Sequence, residues 1–199
     1  LKIGADLNLI PEDQFSFCWI VDFPMFEYSE REKVFTPSHH PFTAPVTEDL
    51  ALLDEYNADP AKYKDVHPDD HPLKRVRALA YDLAVNGEEL GGGSIRIHRR
   101  DVQNKVFRAI GIGEEEAQQK FGFLLDALSY GAPPHGGLAF GVDRMLMLLL
   151  GEKSIREVIA FPKTQSGADL MVDAPSPVSE EQLKELHIRI VEPEPAEKK

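Results

Sequence analysis

The stretch YDLAVNGEELGGGSIRIH, residues 81–98, decides the fold of this chain. Two apolar runs flank the Asn-Gly dipeptide at 86–87, the sequence most typical of a tight two-residue hairpin turn. Because side chains alternate between the two faces of a strand, ideal pairing across this turn places Asp82 and Glu89 on one face, among Ala and Gly residues. The other face is predicted to pack, since it carries Leu79, Tyr81, Leu83 and Val85.

Three glycines, residues 91–93, interrupt the second strand of this hairpin. Glycine weakens a strand, so its presence indicates that the backbone needs freedom or that something approaches it closely. In ideal pairing Asp82 faces Gly91, and Arg96 points away from both carboxylates. A β-bulge would shift the alternation by one residue and bring Arg96 to their face. There it could form two parallel hydrogen bonds to a carboxylate or phosphate; otherwise it is a surface arginine beside a flexible hinge.

The part of the chain before the hairpin alternates between regular and irregular segments. We expect a buried strand over residues 15–23, with Trp19 in the core, and a helix over 47–56 capped by Thr47. Prolines keep residues 38–45 out of regular structure. The charged, proline-rich stretch 59–72 predicts an exposed loop.

The part after the hairpin is mostly helical. The pattern predicts helices at 102–110 and 114–130, a glycine-rich strand at 136–142, a helix at 143–150 capped by Asp143, a strand at 154–161 and a helix at 180–187. The second of these helices buries a stripe formed by Phe121, Leu124, Leu125 and Leu128. This order, with an Asn-Gly hairpin inside it, favours an α+β fold in which helices flank an antiparallel sheet.

Composition sets broad limits on the class of protein. The chain has 199 residues, 42% hydrophobic and 28% charged, which is typical of a globular domain and argues against a disordered or fibrous chain. The apolar runs are too short to span a bilayer, and a single cysteine, Cys18, excludes an intrachain disulfide. Without a secretory signal we expect a cytoplasmic protein. Because the chain begins with Leu1, we interpret it as a piece of a longer polypeptide.

The net charge of −12 argues against a nucleic-acid partner until its distribution is considered. Residues 1–70 carry 5 basic and 15 acidic side chains, whereas residues 71–170 carry 13 basic and 12 acidic ones. The middle of the chain is therefore close to neutral and can hold anionic ligands. Net charge governs solubility and steering rather than what one pocket binds.

Two carboxylates on one small-residue face have three possible roles. Asp82 and Glu89 can share a hard cation such as Mg²⁺, which takes oxygen ligands and often brings phosphate with it. They can also act as an acid–base pair, or they can be two solvated carboxylates at a sheet edge. The residues themselves leave these roles open.

Two further features point to ligand binding. The stretch GGLAFGVDR, residues 136–144, connects a glycine-rich strand directly to a helix and places Arg144 in the first helical turn, where anions are attracted. The alternative is that the stretch only packs the strand against the helix.

His39 and His40 point in opposite directions if the chain is extended there, so we favour one histidine that bonds a ligand over a shared metal site. A solvated loop histidine is the alternative there.

Together these stretches resemble one family, the class II aminoacyl-tRNA synthetases, and within it the bacterial-type aspartyl-tRNA synthetases. GGLAFGVDRMLML (136–148) is similar to motif 3 of that class. The hairpin sequence, FTPSHHPFTAP (35–45) and IREVIAFPKTQSG (155–167) are similar to the aspartyl enzymes. The likeness covers residues 15–191, and its motifs occur in the family's order.

The resemblance implies an activity and a set of site residues. Such enzymes condense L-aspartate with ATP to aspartyl-adenylate and transfer the aspartyl group to tRNA-Asp; whether tRNA-Asn is also charged stays open. Glu89, Arg96 and Arg144 would be catalytic. ATP would contact Glu89, Gly141, Val142, Asp143 and Arg144, aspartate would contact His39 and Arg96, and Mg²⁺ would bind Asp82 and Glu89.

The resemblance also implies what the chain does not contain. Motifs 1 and 2 and the anticodon-binding barrel are not in this sequence, so we expect no activity from the chain alone and a homodimer only for the full-length enzyme. We assign residues 1–14 to the exit of an insertion domain, 15–191 to the C-terminal part of the catalytic domain and 192–199 to a flexible tail. The alternatives are a nonenzymatic synthetase-like module that binds an amino acid or nucleotide, and an asparagine–tRNA ligase, which would not need Arg96.

Overall fold

The computed structural model describes residues 2–11 and 14–191, so the predicted tail over 192–199 lies outside the described residues. The chain divides into two compact units, residues 1–145 and 146–199. None of the described helices is both long and apolar enough to cross a membrane.

The main sheet of the first unit has four antiparallel strands in the order β1-β4-β5-β6. These strands are β1 (Phe17–Ile20), β4 (Ala80–Val85), β5 (Glu88–Ile95) and β6 (Gly136–Phe140). A separate two-stranded sheet pairs β2 (Phe26–Ser29) with β3 (Val34–Pro37). The helices of this unit are α1 (Lys2–Asp6), α2 (Leu50–Ala58), α3 (Arg100–Ala109) and α4 (Glu114–Ser129), and α5 (Val142–Leu149) begins in it. The α+β fold with an antiparallel sheet is confirmed.

The predicted hairpin joins β4 to β5. Asn86 and Gly87 both have positive φ, 51° and 87°, as a two-residue turn that matches the twist of the strands requires. The main core of the unit collects buried side chains from β2, α2, β4 and α3. Its largest fully buried members are Phe26, Leu53, Leu73 and Val76.

The buried stripe predicted for α4 is only partly continuous. Leu125 and Leu128 are buried, but the backbone leaves helical geometry at Phe121 (φ −131°, ψ 18°). The Phe121 ring stacks on Phe107 of α3, with the centroids 5.1 Å apart. This contact places the kink where the two helices meet.

The prediction of a buried strand near the start of the chain is wrong about burial. Strand β1 forms, but Phe17 is 62% exposed and Trp19 is 55% exposed. β1 is an edge strand that pairs only with β4 in the described sheet, and its Trp19 ring contacts only the edge of Tyr81 among the described aromatic rings. The apolar residues of this segment predict a strand that other elements can bury, but they do not predict whether any element packs on it.

Three local predictions are also corrected. Thr47 begins a 3₁₀ turn (Thr47–Asp49) whose N-cap is Val46, so it does not cap the helix. Asp143 lies inside the first turn of α5 rather than before it. The stretch 59–72 is not a simple exposed loop, because 3₁₀ turns at Pro60–Tyr63 and Pro68–Asp70 fold it back and bury Tyr63 and His71.

The second unit contains the rest of α5, a 3₁₀ turn (Ile155–Glu157) and α6 (Glu180–Glu185). The strand predicted at 154–161 is wrong. The Ser154 hydroxyl accepts a hydrogen bond from the Arg156 N–H at 3.2 Å, and this local bonding competes with extended structure. α6 is confirmed, and a capping box of Ser179 and Gln182 fixes its start.

Candidate active site

One face of the main sheet carries the predicted site residues, because the register shifts between β4 and β5. Ala84 pairs with Glu89, but Leu83 pairs with Gly91 and Asp82 with Gly92, so Leu90 is the extra residue of a β-bulge. The predicted pairing of Asp82 with Gly91 is therefore replaced by pairing with Gly92. The shift puts Asp82, Glu89 and Arg96 on one face, as the bulge hypothesis required.

The three glycines of β5 are needed because neighbouring groups approach their Cα atoms. A Cβ on Gly92 would collide with the Asp82 carboxylate oxygen Oδ1. Cβ atoms on Gly91 and Gly93 would collide with the backbone carbonyl oxygens of Ala139 and Gly137 in β6. One glycine thus makes room for a carboxylate, and two make room for the next strand.

The bulge also fixes Arg144. The backbone carbonyl of Glu89 accepts a hydrogen bond from the Arg144 guanidinium at 2.5 Å, and the carbonyl of Leu90 accepts one from the Gly141 N–H at 3.0 Å. β6 therefore leads directly into α5, and the first turn of α5 is held against the bulge. Of the other residues assigned to ATP, Val142 and Asp143 begin the helix and are exposed.

At the other end of β5, Arg96 is held by a small polar cluster. Its guanidinium lies 3.1 Å from His40 Nδ1, and the Thr43 hydroxyl lies 3.3 Å from the same nitrogen. Thr43 in turn donates to the buried Ser94 hydroxyl at 3.4 Å. An isolated bridge between Thr43 and Arg96 ties this loop to the end of the strand.

His40 is held as a neutral hydrogen-bond acceptor. Its Nδ1 also accepts the Phe42 N–H at 3.2 Å, so the ring proton belongs on Nε2. Burial lowers the pKa of His40, and the neighbouring positive charge of Arg96 lowers it further. A neutral histidine leaves the charge of Arg96 available to an anionic ligand.

The structure separates the two adjacent histidines. His39 is exposed, and its ring lies edge-on to Phe23 with centroids 5.0 Å apart. The sequence pattern favoured one unspecified histidine of the pair, and the family resemblance assigned the ligand contact to His39; neither indicated a role for Thr43. The three-residue spacing of His40 and Thr43 was visible in the sequence. It indicates a polar cluster only once the bridge between Thr43 and Arg96 is known.

The donor set offered to a metal ion is small. Among residues 2–11 and 14–191, no group of three or more His, Cys, Asp or Glu side chains could hold one. Asp82 and Glu89 lie on one face and supply carboxylate oxygens, which fits a hard cation whose remaining ligands are water and phosphate oxygens. A metal held by protein ligands alone does not fit this arrangement.

Comparison with known protein families places this chain in a family of tRNA synthetases. The family described as "tRNA synthetases class II (D, K and N)" matches residues 3–165, and the chain belongs to it. The chain is 57% identical over 189 residues to the "Aspartate--tRNA(Asp/Asn) ligase" of Heliobacterium modesticaldum. That alignment covers 95% of this chain and 29% of the relative. The chain is also 55% identical over 190 residues to the ligase of the same name from Hydrogenobaculum sp., covering 96% of this chain and 31% of that protein.

The chain thus spans less than a third of the length of these relatives. Among solved structures, an aspartyl tRNA synthetase from Entamoeba histolytica superposes with a TM-score of 0.51. That match covers 84% of this chain and 25% of the other, at 21% sequence identity. At this identity the likeness supports the fold alone.

Proposed function

We propose that this chain is part of the catalytic domain of an aspartate–tRNA ligase that acts in the cytoplasm, as a homodimer when full-length. In the first step an oxygen of the aspartate α-carboxylate attacks the α-phosphorus of ATP, and the bond to pyrophosphate breaks. In the second step a hydroxyl of the 3′-terminal ribose of tRNA attacks the carbonyl carbon, and AMP leaves. The relatives' names support both tRNA-Asp and tRNA-Asn as acceptors.

The observation that carries this proposal is the pair of fixed arginines at the two ends of β5. Arg96, held by neutral His40, would bind the side-chain carboxylate of aspartate through a charge-assisted fork. Arg144, held on the bulge carbonyl, would lie along the phosphates. Fixed cations placed where negative charge lies or develops are the main electrostatic contribution to such a reaction.

The family resemblance assigns roles to the remaining predicted residues. Asp82 and Glu89 would hold Mg²⁺, which when bound offsets the charge of the phosphates. Gly141, Val142 and Asp143 would line the nucleotide beside Arg144. The exposed His39 would contact the amino acid from the loop before Pro41.

A chimera tests the proposal in a complete enzyme. The matching 189-residue segment of the Heliobacterium ligase is replaced by this chain, and aspartate-dependent ATP–pyrophosphate exchange and tRNA aspartylation are measured. We expect exchange from the chimera and none from the isolated chain, because the chain spans only 29% of that enzyme. A correctly folded chimera without exchange would count against the proposal.

Two substitutions in the chimera test the arginines. Arg96→Ala should lower kcat/KM for aspartate about 150-fold, which corresponds to a loss of about 3 kcal/mol, as for a lost charge-assisted bond. Arg144→Ala should raise KM for ATP. Arg108, exposed in the last turn of α3, is the matched control, and Arg108→Ala should leave both constants unchanged. An unchanged constant for aspartate in Arg96→Ala would contradict the assignment.

The nonenzymatic alternative makes a different prediction. A module that senses one ligand would bind ATP or aspartate but not both, so titration of the chimera with each ligand separately distinguishes the two. Binding of both ligands on one sheet face supports the ligase. Use of asparagine in place of aspartate would instead support the asparagine–tRNA ligase.

A further inference from the structure

A cavity of about 260 Å³ lies away from the candidate active site and shares no residue with it. It opens between the β2–β3 hairpin, the C-terminal end of α2, the folded-back stretch 60–71 and the end of α3. The stretch 60–71 is part of the segment that the sequence alone predicted to be an exposed loop.

Five aromatic rings line this cavity, and His71 contacts three of the other four. The His71 ring lies 4.4 Å from Phe35, 5.2 Å from Tyr56 and 5.6 Å from Tyr63 between centroids. Tyr28 completes the set through an edge contact with Phe35 at 5.3 Å. Mutual packing fixes these rings, so their surfaces are preorganised for a flat ligand.

The polar groups of the lining are donors rather than carboxylates. His71 Nδ1 accepts the Leu73 N–H at 3.2 Å, so its ring proton is on Nε2, and burial lowers the pKa of this histidine, which keeps it neutral. Burial raises the pKa of Tyr56, so its hydroxyl stays protonated. Each can offer a hydrogen bond to a bound anion.

The charge of the lining is opposite to that of the sequence segment that supplies most of it. Residues 1–70 carry 15 acidic and 5 basic side chains, yet the lining includes Lys33 and Lys64 and no Asp or Glu. Lys33 also bonds Glu30 at 2.8 Å, but both side chains are more than two-thirds exposed, and such a pair exchanges easily for a ligand. The lining of the cavity is therefore cationic, although most of it comes from an acidic segment of the sequence.

We propose that this cavity binds a single-ring aromatic anion, a planar ring that carries a carboxylate or a phosphate. The aromatic lining would stack on the ring, and Lys33 and Lys64 would bind the anionic group. The volume lies just below the usual range of small-molecule sites, which fits one ring rather than a fused ring system. The proposal is independent of the ligase assignment.

The test is a titration of the isotopically labelled protein with benzoate, followed by ¹H–¹⁵N chemical shifts. Shifts should concentrate at residues 28–35, 56–71 and 109–111. Cyclohexanecarboxylate has the same charge without the aromatic ring, and benzyl alcohol has the ring without the charge. Both should bind at least tenfold more weakly than benzoate; equal binding of either one would overturn the proposal.

Variants separate this site from the arginine site. Lys33→Gln with Lys64→Gln should weaken benzoate binding at least tenfold, whereas Lys74→Gln, at a lysine outside the lining, and Arg96→Ala should not change it. Loss of binding in Arg96→Ala, or shifts confined to the main sheet, would overturn the proposal. Uridine 5′-monophosphate shows whether the natural ligand is a nucleotide or an aryl acid. Tighter binding of this nucleotide than of benzoate indicates a nucleotide, and weaker binding indicates an aryl acid. If neither compound binds, the proposed site is refuted.

Discussion

The Asp82 carboxylate occupies the space above the Cα of Gly92, where any other residue would place its Cβ. The two residues are register partners only because Leu90 bulges out of the ladder. The position of the carboxylate is therefore set by the absence of one methyl group on the neighbouring strand.

Gly92→Ala should act on Asp82 rather than on stability. The displaced atom is the end of a flexible side chain, so the protein should stay folded while the carboxylate moves. In the chimera we expect the Mg²⁺ concentration for half-maximal exchange to rise about tenfold, as when the support of a metal ligand is lost. Asp82→Asn should give a similar rise. If Asp82→Asn raises it and Gly92→Ala does not, the space above Gly92 does not position the carboxylate.

Gly93→Ala should act on stability instead. Its added Cβ would meet the backbone of Gly137, which cannot turn away as a side chain can. We expect the free energy of unfolding to fall by about 1–3 kcal/mol, the usual cost of overpacking. The control is Gly137→Ala, because a Cβ there meets no atom within 4 Å. Urea denaturation followed by circular dichroism measures both variants, and equal losses would contradict the close approach.

The Asp49–Arg77 pair should stabilise the first unit in a pH-dependent way. Asp49 Oδ2 accepts the backbone N–H and the Nε–H of Arg77, each at 2.9 Å, and Oδ1 accepts from Nη2 at 3.1 Å. These bonds hold the pKa of Asp49 below its usual value. The stabilisation is therefore complete above the ordinary carboxyl pKa of about 4 and is lost as the pH falls through the lower folded value.

Asp49→Asn should lower the free energy of unfolding by about 1–3 kcal/mol at pH 7. The difference from the wild type should shrink as the pH falls below about 4, through the lowered pKa of Asp49, because the wild-type carboxyl becomes protonated there. Glu30→Gln, which breaks the exposed Glu30–Lys33 pair, should leave the unfolding midpoint unchanged. A constant difference between Asp49→Asn and wild type across this pH range would refute the linkage.

His40 should titrate below the ordinary histidine pKa of about 6.5. Burial is the larger cause and Arg96 the next, so Arg96→Gln should raise the pKa of His40 only part of the way. Because the unfolded state then binds more protons, this histidine lowers the stability of the protein as the pH falls below about 6.5. NMR titration of the imidazole carbons measures the shift, with Arg144→Gln as a control that should not move it. A full return to 6.5 in Arg96→Gln would show that charge, not burial, is the main cause.

The sequence was sufficient for features that depend on local chemistry or on alternation. The Asn-Gly turn and the passage of β6 into α5 follow from residue type and spacing. The exposure of β1 does not, because it depends on which surfaces meet its apolar side chains. The sequence left a bulge and a flexible hinge as alternatives, and its three adjacent glycines did not fix the position of the bulge at Leu90.

The site was predictable to a similar degree. Asp82, Glu89 and Arg96 share a face as proposed, and their roles remain predictions. His40 could not be separated from His39 by alternation, because the loop that carries them bends between prolines. The cavity around His71 was missed because proline and charge predict solvent exposure, whereas 3₁₀ turns turned the aromatic residues of that stretch inward.

The bulge at Leu90 has a consequence for how this protein can change. Seven positions separate Glu89 from Arg96, an odd number, so the two share a face only because one residue is left unpaired. Deleting any one residue between them would return the strand to regular pairing and send Arg96 to the reverse side, with every side chain chemically intact. Point substitutions here weaken the site by degrees, whereas a single-residue insertion or deletion divides it into two halves on opposite sides of the sheet. The length of this segment is therefore under tighter constraint than most of the residues in it.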